Sequence, residues 1–201
     1  MQITKVAPAA KTPGRYNIFV DGKYSFSLDE LQLVQAGLHR GLEIDEGRLD
    51  ELKNESNYGK EYIRALDLIS RRPRSVKELR DYGRRKGWTP ENTARVIQRL
   101  QDKGYQSDEA FAKMFATARL NAGHYSRRRI EQDLRGKGIA PATIKKVLDE
   151  LDPSDIPAIE KLIAKRASRY DDESKLIRYL LSKGFSYDDV KKALAEYKEE
   201  N

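Results

Sequence analysis

A mainly α-helical repeat protein with a small β-hairpin extension at its front is the fold this 201-residue sequence predicts. Three observations carry that expectation. A Lys-Gly pair followed by a bulky apolar residue occurs as Lys86-Gly87-Trp88, Lys137-Gly138-Ile139 and Lys183-Gly184-Phe185, spaced by 51 and then 46 residues. Apolar residues recur at helical spacing on both sides of each pair. Near the start, the runs 16–20 and 23–26 flank Asp21-Gly22, the two-residue signal of a tight hairpin.

Residues 3–7 are expected to add a strand. Residues 29–36 read as a short helix ended by Gly37, and residues 45–53 as a second helix leading into the first repeat. Each repeat then opens with a longer helix: 58–70 with Tyr62, Leu66 and Ile69 on its inner face, 108–121 with Phe111, Met114, Phe115 and Ala118, and 159–167 with Leu162 and Ile163. A second helix starts at Ser75 with Glu78 as a capping box, at Ser126, or at Asp172; its inner residues are Leu79, then Ile130 with Leu134, then Leu176 with Leu180. Gly83 stands where Leu134 and Leu180 stand. The glycine after each lysine suits a helix C-terminus needing positive φ, and the lysine suits the negative end of the helix dipole.

After the pair, Thr89-Pro90-Glu91, Ala140-Pro141-Ala142 or Ser186-Tyr187-Asp188 begins a third helix, which turns Val96 and Ile97, Val147 and Leu148, or Ala193 and Leu194 inward. This gives an N-terminal region of hairpin and short helices at 1–57 and three helix-turn-helix-like modules of three helices at 58–106, 107–153 and 154–201. Trp88 fills the slot of Ile139 and Phe185, so it reads as a packing residue and not as a base-stacking platform.

The chain has no cysteine and two histidines, His39 and His124. Disulfides, thiolate nucleophiles and an imidazole metal cage are therefore excluded, and a reducing, cytoplasmic setting is expected. No segment approaches the roughly 20 apolar residues of a membrane span, and the N-terminus lacks the apolar stretch of a secretory signal. Phosphate-cradling and catalytic spacings of the G-x-G-x-x-G, G-x-x-x-x-G-K-[ST], G-x-S-x-G and H-E-x-x-H kinds do not occur. The acidic pairs Asp29-Glu30, Asp108-Glu109 and Asp188-Asp189 fall at helix starts and read as caps. The expectation is a protein that is not an enzyme and uses no cofactor.

Charge is unevenly placed. Residues 1–57 hold 7 basic and 9 acidic side chains, 58–153 hold 22 and 13, and 154–201 hold 10 and 10. The excess lies in the middle, where Arg71, Arg72, Arg74, Lys77, Arg80, Arg84, Arg85 and Lys86 face only Glu78 and Asp81 in sequence, and where Arg127, Arg128 and Arg129 form a second knot. A one-sided excess in one region points to a polyanion or an acidic protein surface. The candidate contact residues are Arg71, Arg72, Arg74, Lys77, Arg84, Arg85, Arg127, Arg128, Arg129, Lys145 and Lys146. Three arginines at a helix N-terminus oppose the dipole, so all three are expected to serve contact and to be dispensable for folding. The four cations around Pro73 are expected to lack acidic relief before Glu78 and to form one face with residues 127–129. A free-standing DNA-binding protein is the alternative reading, with Asn92, Arg95 and Gln98 reaching base edges, although Lys145, Lys146, Lys191 and Lys192 at the equivalent positions suit phosphates better.

Three stretches carry a family resemblance: Asp108-Glu109-x-Phe111-Ala112, Ala118-Arg119-Leu120-Asn121-x-Gly123, and Arg129-Ile130-x-x-Asp133-Leu134-x-x-Lys137-Gly138-Ile139. With the flanking Lys-Gly signatures, the chain resembles the RecX regulatory proteins, bacterial modulators of the RecA recombinase. The resemblance implies three tandem three-helix modules in a curved molecule lying along the groove of a RecA filament on DNA, altering ATP hydrolysis and strand exchange in recombination and repair, most simply as an inhibitor. It implies RecA as partner; the lysines at phosphate-type positions lead to an expectation of weak nonspecific DNA contact, and a monomeric protein is expected. The hairpin region looks like an extension found in some members.

Overall fold

The computed structural model describes residues 1–10, 12–151, 154–170 and 172–200; the expected segment end at 153 lies outside them. The chain forms two compact units, Met1–Arg72 with Tyr82–Asp102, and Pro73–Asp81 with Lys103–Asn201.

In the first unit, strands β1 (Ile3–Pro8), β2 (Arg15–Val20) and β3 (Lys23–Asp29) form an antiparallel sheet in that order. Asp21 and Gly22, both with positive φ, make the turn between β2 and β3, the geometry an Asp-Gly pair favours. Helix α1 (Glu30–Ala36) starts on a capping box between Asp29 and Gln32 and stops at left-handed Gly37. Ile3, Ile18, Phe26 and Leu28 from the sheet pack with Leu38, Ile44 and Leu52 in one apolar cluster.

The two helices expected at 45–53 and 58–70 are one, α2 (Glu46–Arg71), 26 residues long. Its middle contains the weak helix formers Asn54, Ser56, Asn57 and Gly59, which propensity alone reads as a break. Tertiary partners override it. Asn92 Nδ2 donates to Asn54 Oδ1 at 2.9 Å, and Ser56 Oγ donates to the Ser27 carbonyl at 2.6 Å. A Cβ on Gly59 would lie 2.7 Å from Gln32 Oε1, so this glycine permits close approach and does not end the helix. Tyr58, Glu61 and Ala65 are buried, while Tyr62, Leu66 and Ile69 are half-buried.

Helix α3 (Val76–Arg85) holds the boundary between the units, and α4 (Pro90–Asp102) buries Val96, Ile97 and Leu100 in the first. Gly87 has φ +72°, its N–H reaches the Arg84 carbonyl, and the Trp88 N–H reaches the Gly83 carbonyl at 3.0 Å. This paired-bond ending brings the residue after the glycine against the one five positions earlier. In the second module the same bond joins Ile139 to Leu134 at 3.1 Å. Gly83 is explained by that contact. A Cβ there would lie 2.8 Å from Thr93 Oγ1 and 3.0 Å from Trp88 Cε3, so the large indole, set edge-on to Tyr82 at 5.4 Å, occupies the volume that a leucine fills in the other copies.

The second unit contains α5 (Asp108–Ala122), α6 (Arg127–Gly136), α7 (Pro141–Asp149), α8 (Ile156–Arg166) with a 3-10 turn at Ala167–Arg169, α9 (Glu173–Ser182) and α10 (Tyr187–Glu200). Each trio has its own core. Phe111, Ala112, Ala116, Ile130, Leu134, Ile139, Ile144, Val147 and Leu148 form one, and Ile159, Leu162, Ile163, Leu176, Leu180, Phe185, Val190, Ala193 and Leu194 the other. On α5 the buried stripe is Phe111, Ala112 and Ala116 with Phe115 beside it, whereas Met114 and Ala118, expected inward, are exposed. Small alanines on that stripe let α7 approach α5 closely, which size-based patterning does not register.

The same polar joint occurs twice in this unit. Ser75 Oγ donates to the Lys137 carbonyl at 2.8 Å, and a Cβ on Gly138 would strike Lys77 Cβ at 2.7 Å. Fifty-one residues on, the Ser126 N–H donates to the Lys183 carbonyl at 3.3 Å, and a Cβ on Gly184 would strike Ser126 Oγ at 2.6 Å. The first-turn N–H of Val76 is accepted by Asp108 at 2.8 Å, and that of Arg127 by Asp155 at 2.9 Å. The Lys137-Gly138 and Lys183-Gly184 turns are thus seats for the N-terminus of an earlier helix. The first-turn donors that a helix leaves unpaired are capped by an aspartate from a later one.

A double-mutant cycle tests the size compensation. Gly83→Ala should destabilise the protein, reversing the gain of up to about 1 kcal/mol that a Gly-to-Ala change gives in an unobstructed helix interior. Gly83→Leu combined with Trp88→Ile should be more stable than the sum of the two single losses, as read by denaturant unfolding. Additivity would show that the two sites do not share volume.

Candidate functional site

The basic side chains expected to meet a partner fall in both units and differ in how far they are already engaged. In the first unit, Arg71 donates to both carboxylate oxygens of Asp67, at 2.8 and 3.1 Å, one helical turn back. The expectation that the cations around Pro73 lack acidic relief before Glu78 is therefore wrong: the relief comes from α2, where helical spacing places Asp67 four residues ahead. Arg72 and Arg84 also have partners within the chain, and Arg84 and Arg85 are exposed at the end of α3.

In the second unit, Lys77 pairs with Asp81 at 2.9 Å, and Arg74 has a partner within the chain. Lys146 pairs with Glu109 at 2.6 Å and Lys113 with Glu150 at 3.0 Å, tying α5 to α7; the Glu109 bond holds the Lys146 ammonium above its usual pKa, and the Lys113 bond holds the Glu150 carboxyl below its own. Exposed pairs like these add little stability, and salt screens them further. Lys145 is exposed beside them.

The three arginines opening α6 separate into different roles. Arg127 is half-buried; its guanidinium donates to the Leu148 carbonyl at the end of α7, and its N–H is the one capped by Asp155. Burial pushes the Asp155 carboxyl up, with the Arg127 N–H opposing that shift. Arg128 is exposed, and Arg129 is about half exposed and lies 3.4 Å from Asp133. Arg127 is thus a structural clamp, contrary to the expectation that all three arginines serve contact alone, because α6 begins within reach of the orphan carbonyls closing α7.

Of the residues proposed to read base edges, Asn92 is buried, whereas Arg95 and Gln98 are exposed and each has a partner within the chain. Asn92 is 1% exposed and bonded to Asn54. Arg95 pairs with Glu55 at 2.7 Å and lies 4.1 Å from the Tyr58 ring centroid, and Gln98 donates to Asp102. Glu61 is also buried here, and burial holds its carboxyl above the ordinary glutamate range. Trp88 is 8% exposed, as a packing residue should be.

Sequence reasoning missed an alternating ladder of cations and rings in the second unit. Lys137 lies over Phe111 and Phe115, Arg119 over Phe115 and Tyr125, Lys183 over Tyr125 and Tyr179, and Arg166 over Tyr179, all between 5.0 and 5.8 Å from the ring centroids. Cations over ring faces attract the ring quadrupole. Here they also hold Lys137 and Lys183, the seat lysines, in one orientation. Among the described residues no group of His, Asp or Glu could hold a metal ion, and no helix is long and apolar enough to cross a membrane.

Four family models match this chain in order: the RecX N-terminal domain at residues 1–45, and the first, second and third RecX three-helix domains at 62–100, 107–148 and 158–194. A Regulatory protein RecX from Bacillus subtilis is 34% identical, covering 99% of this chain and 78% of the relative; one from Caldanaerobacter subterraneus is 29% identical, covering 96% and 98%. A crystal structure of a regulatory protein RecX matches with a TM-score of 0.78 at 28% identity, over 95% of this chain and 98% of that one. The structure of RecX from Lactobacillus salivarius matches with a TM-score of 0.62 at 27% identity, over 69% and 95%.

Two stability measurements check these assignments. Arg127→Ala should cost about 1.5–3 kcal/mol, the range for a hydrogen bond involving a charged group, and lower the thermal midpoint, whereas Arg128→Ala should leave it unchanged. Glu61→Gln concerns pH. A carboxyl raised in the folded state binds its proton more tightly there than in the unfolded chain, so its contribution favours folding below the unfolded pKa and is lost as pH rises through the folded pKa. The variant should therefore remove a decline in stability across that window and be the more stable form at neutral pH, as followed by urea unfolding between pH 4 and 8.

Proposed function

Because the chain belongs to the RecX family of regulatory proteins, we propose that it binds the RecA–DNA filament in the cytoplasm and restrains its ATP hydrolysis and strand exchange. The observation that carries this reading is the repetition of one joint. Two similar seats, each with an aspartate cap, recur within the second unit, and a surface that repeats suits a partner that repeats, where several weak contacts act together. The segments 58–106, 107–153 and 154–201 are the proposed modules, with 1–57 as the extension. The chain acts as a monomer.

The candidate cations contribute to that contact unequally. Arg85, Arg128 and Lys145 are exposed and make the main electrostatic contribution, toward acidic side chains or phosphates, while Arg129, exposed but paired with Asp133, adds less. Arg71, Arg72, Arg74, Lys77, Arg84 and Lys146 exchange intramolecular partners for filament ones, so each adds less. Contact with DNA alone is nonspecific and steeply salt-dependent. No metal or organic cofactor takes part.

Titrating the protein into RecA on single-stranded DNA should lower the ATPase rate, and co-sedimentation should show tighter binding to the filament than to naked DNA or free RecA. Arg128→Glu with Lys145→Glu should weaken filament binding roughly tenfold or more and leave the thermal midpoint in place, while Arg127→Ala should act on the midpoint instead. Equal affinity for naked DNA and filament would overturn the reading.

A further inference from the structure

The Lys-Gly seat occurs three times, but among the described residues two of the copies hold a helix. The backbone of the first copy matches the others: Gly87 has φ +72°, against +78° at Gly138 and +92° at Gly184, and in each copy the glycine N–H bonds the carbonyl three residues earlier. Its surroundings differ. A Cβ at Gly138 or Gly184 would collide with the seated helix, whereas among the described residues a Cβ at Gly87 meets nothing within 4 Å. Lys137 and Lys183 are half-buried, whereas Lys86 is exposed.

The occupied copies show what the seat recognises. In the first joint the seat carbonyl accepts from the capping Ser75, while the seat ammonium of Lys137 pairs with Glu78, three residues into the helix, at 3.0 Å. Lys137 makes that pair while lying over two rings, so the position of Lys86 over Tyr82, 5.9 Å from the centroid, leaves it able to do the same. Exposed Arg84 and Arg85 beside the turn add positive charge where the acidic first turn of an incoming helix would arrive. In the second joint the residue matching Glu78 is Arg129, which turns to Asp133, and Lys183 rests on Tyr125 and Tyr179 instead. The charged pair thus belongs to seats whose lysine is offered a carboxylate.

We propose that the Lys86–Gly87 turn is an unfilled seat that docks the N-terminus of a partner protein's helix, one beginning with a serine or threonine cap followed three residues later by glutamate. The cap hydroxyl donates to the Lys86 carbonyl, the glutamate pairs with the Lys86 ammonium, and the absence of a side chain at Gly87 lets the first turn come close. The proposal stands apart from the filament reading, since it specifies a motif and not the protein that carries it.

The test uses the full chain and a stapled helical peptide of residues 73–82 carrying Arg74→Ala and Arg80→Ala, which keeps the Ser75 cap and Glu78 and has its helicity checked by circular dichroism. Trp88, the only tryptophan, follows the seat directly and reports by fluorescence, while amide shifts of Gly87 and Trp88 locate the binding. Saturable shifts centred on 86–88 are expected. They should be weakened roughly tenfold by Lys86→Glu, and restored when that variant meets a peptide carrying Glu78→Lys. Removing the cap hydroxyl with Ser75→Ala in the peptide should also weaken binding. Absence of shifts up to the peptide's solubility limit, shifts centred on Gly138, or binding indifferent to Lys86→Glu would each overturn the proposal.

Discussion

A helix that stops must dispose of its last carbonyls, and in this protein the way it does so governs the module cores and the joints between them. After each second helix a glycine takes the left-handed conformation, its N–H turns back on the helix, and the next residue is driven into the module core. That residue is Trp88, Ile139 or Phe185, and each is nearly fully buried. The third helix starts two or three residues later, so its position against the second is set by the same turn. A side chain at the glycine would strain the backbone, and in two of the copies it would also occupy the space of a seated helix. One residue choice therefore serves the helix stop, the core and the joint.

The joint is polar while the module interiors are apolar, which separates two jobs. Burial of the two cores in the second unit supplies stability to each trio, at roughly 25 cal/mol per Å² of apolar surface removed from water. Hydrogen bonds from Ser75, Val76, Ser126 and Arg127 supply direction. Their net worth is about 1 kcal/mol each, since the same groups bond to water when a joint opens. Most of the cations that look excessive in the sequence have an intramolecular task as well: Arg127 clamps the end of α7, Arg119 bridges Phe115 and Tyr125, and Arg95 covers Tyr58. A high positive charge can thus be read from composition, whereas the part of it left for a partner cannot.

What was legible in the sequence was local. The Asp-Gly turn, the Ser126 and Asp172 caps and the Lys-Gly stops depend on residues within a few positions of one another, and they lie where spacing put them. The continuity of α2 was not legible, because Asn54 and Ser56 are held by Asn92 and Ser27, 38 and 29 residues away. The roles of Asp108 and Asp155 were hidden in the same manner: Asp108 looks like a cap for its own helix, yet Ser107 caps that helix and the Asp108 carboxylate serves Val76. A signal did exist, since Asp108 and Asp155 hold equivalent places in successive copies. Lining up acidic residues as well as glycines would have raised it. Arg128 and Lys145 could be picked out as cations, but only their exposure separates them from Arg127 and Lys146.

Directional joints between independent cores have a consequence for how such a chain meets a long partner. A module held to its neighbour by a shared apolar core would tie its orientation to the packing of many side chains, and a change in any of them would shift the register of the whole array. Here the register rests on a carbonyl, a capping hydroxyl or N–H, and an aspartate, repeated with equivalent residues, while the cores are free to differ, as the exchange of Leu and Ile for Gly and Trp at positions 83 and 88 shows. Sequence drift inside a core need not disturb the residues of a joint. A protein whose proposed partner repeats along its length needs that property more than it needs rigidity, because contacts out of register contribute nothing to avidity, however strong each is alone.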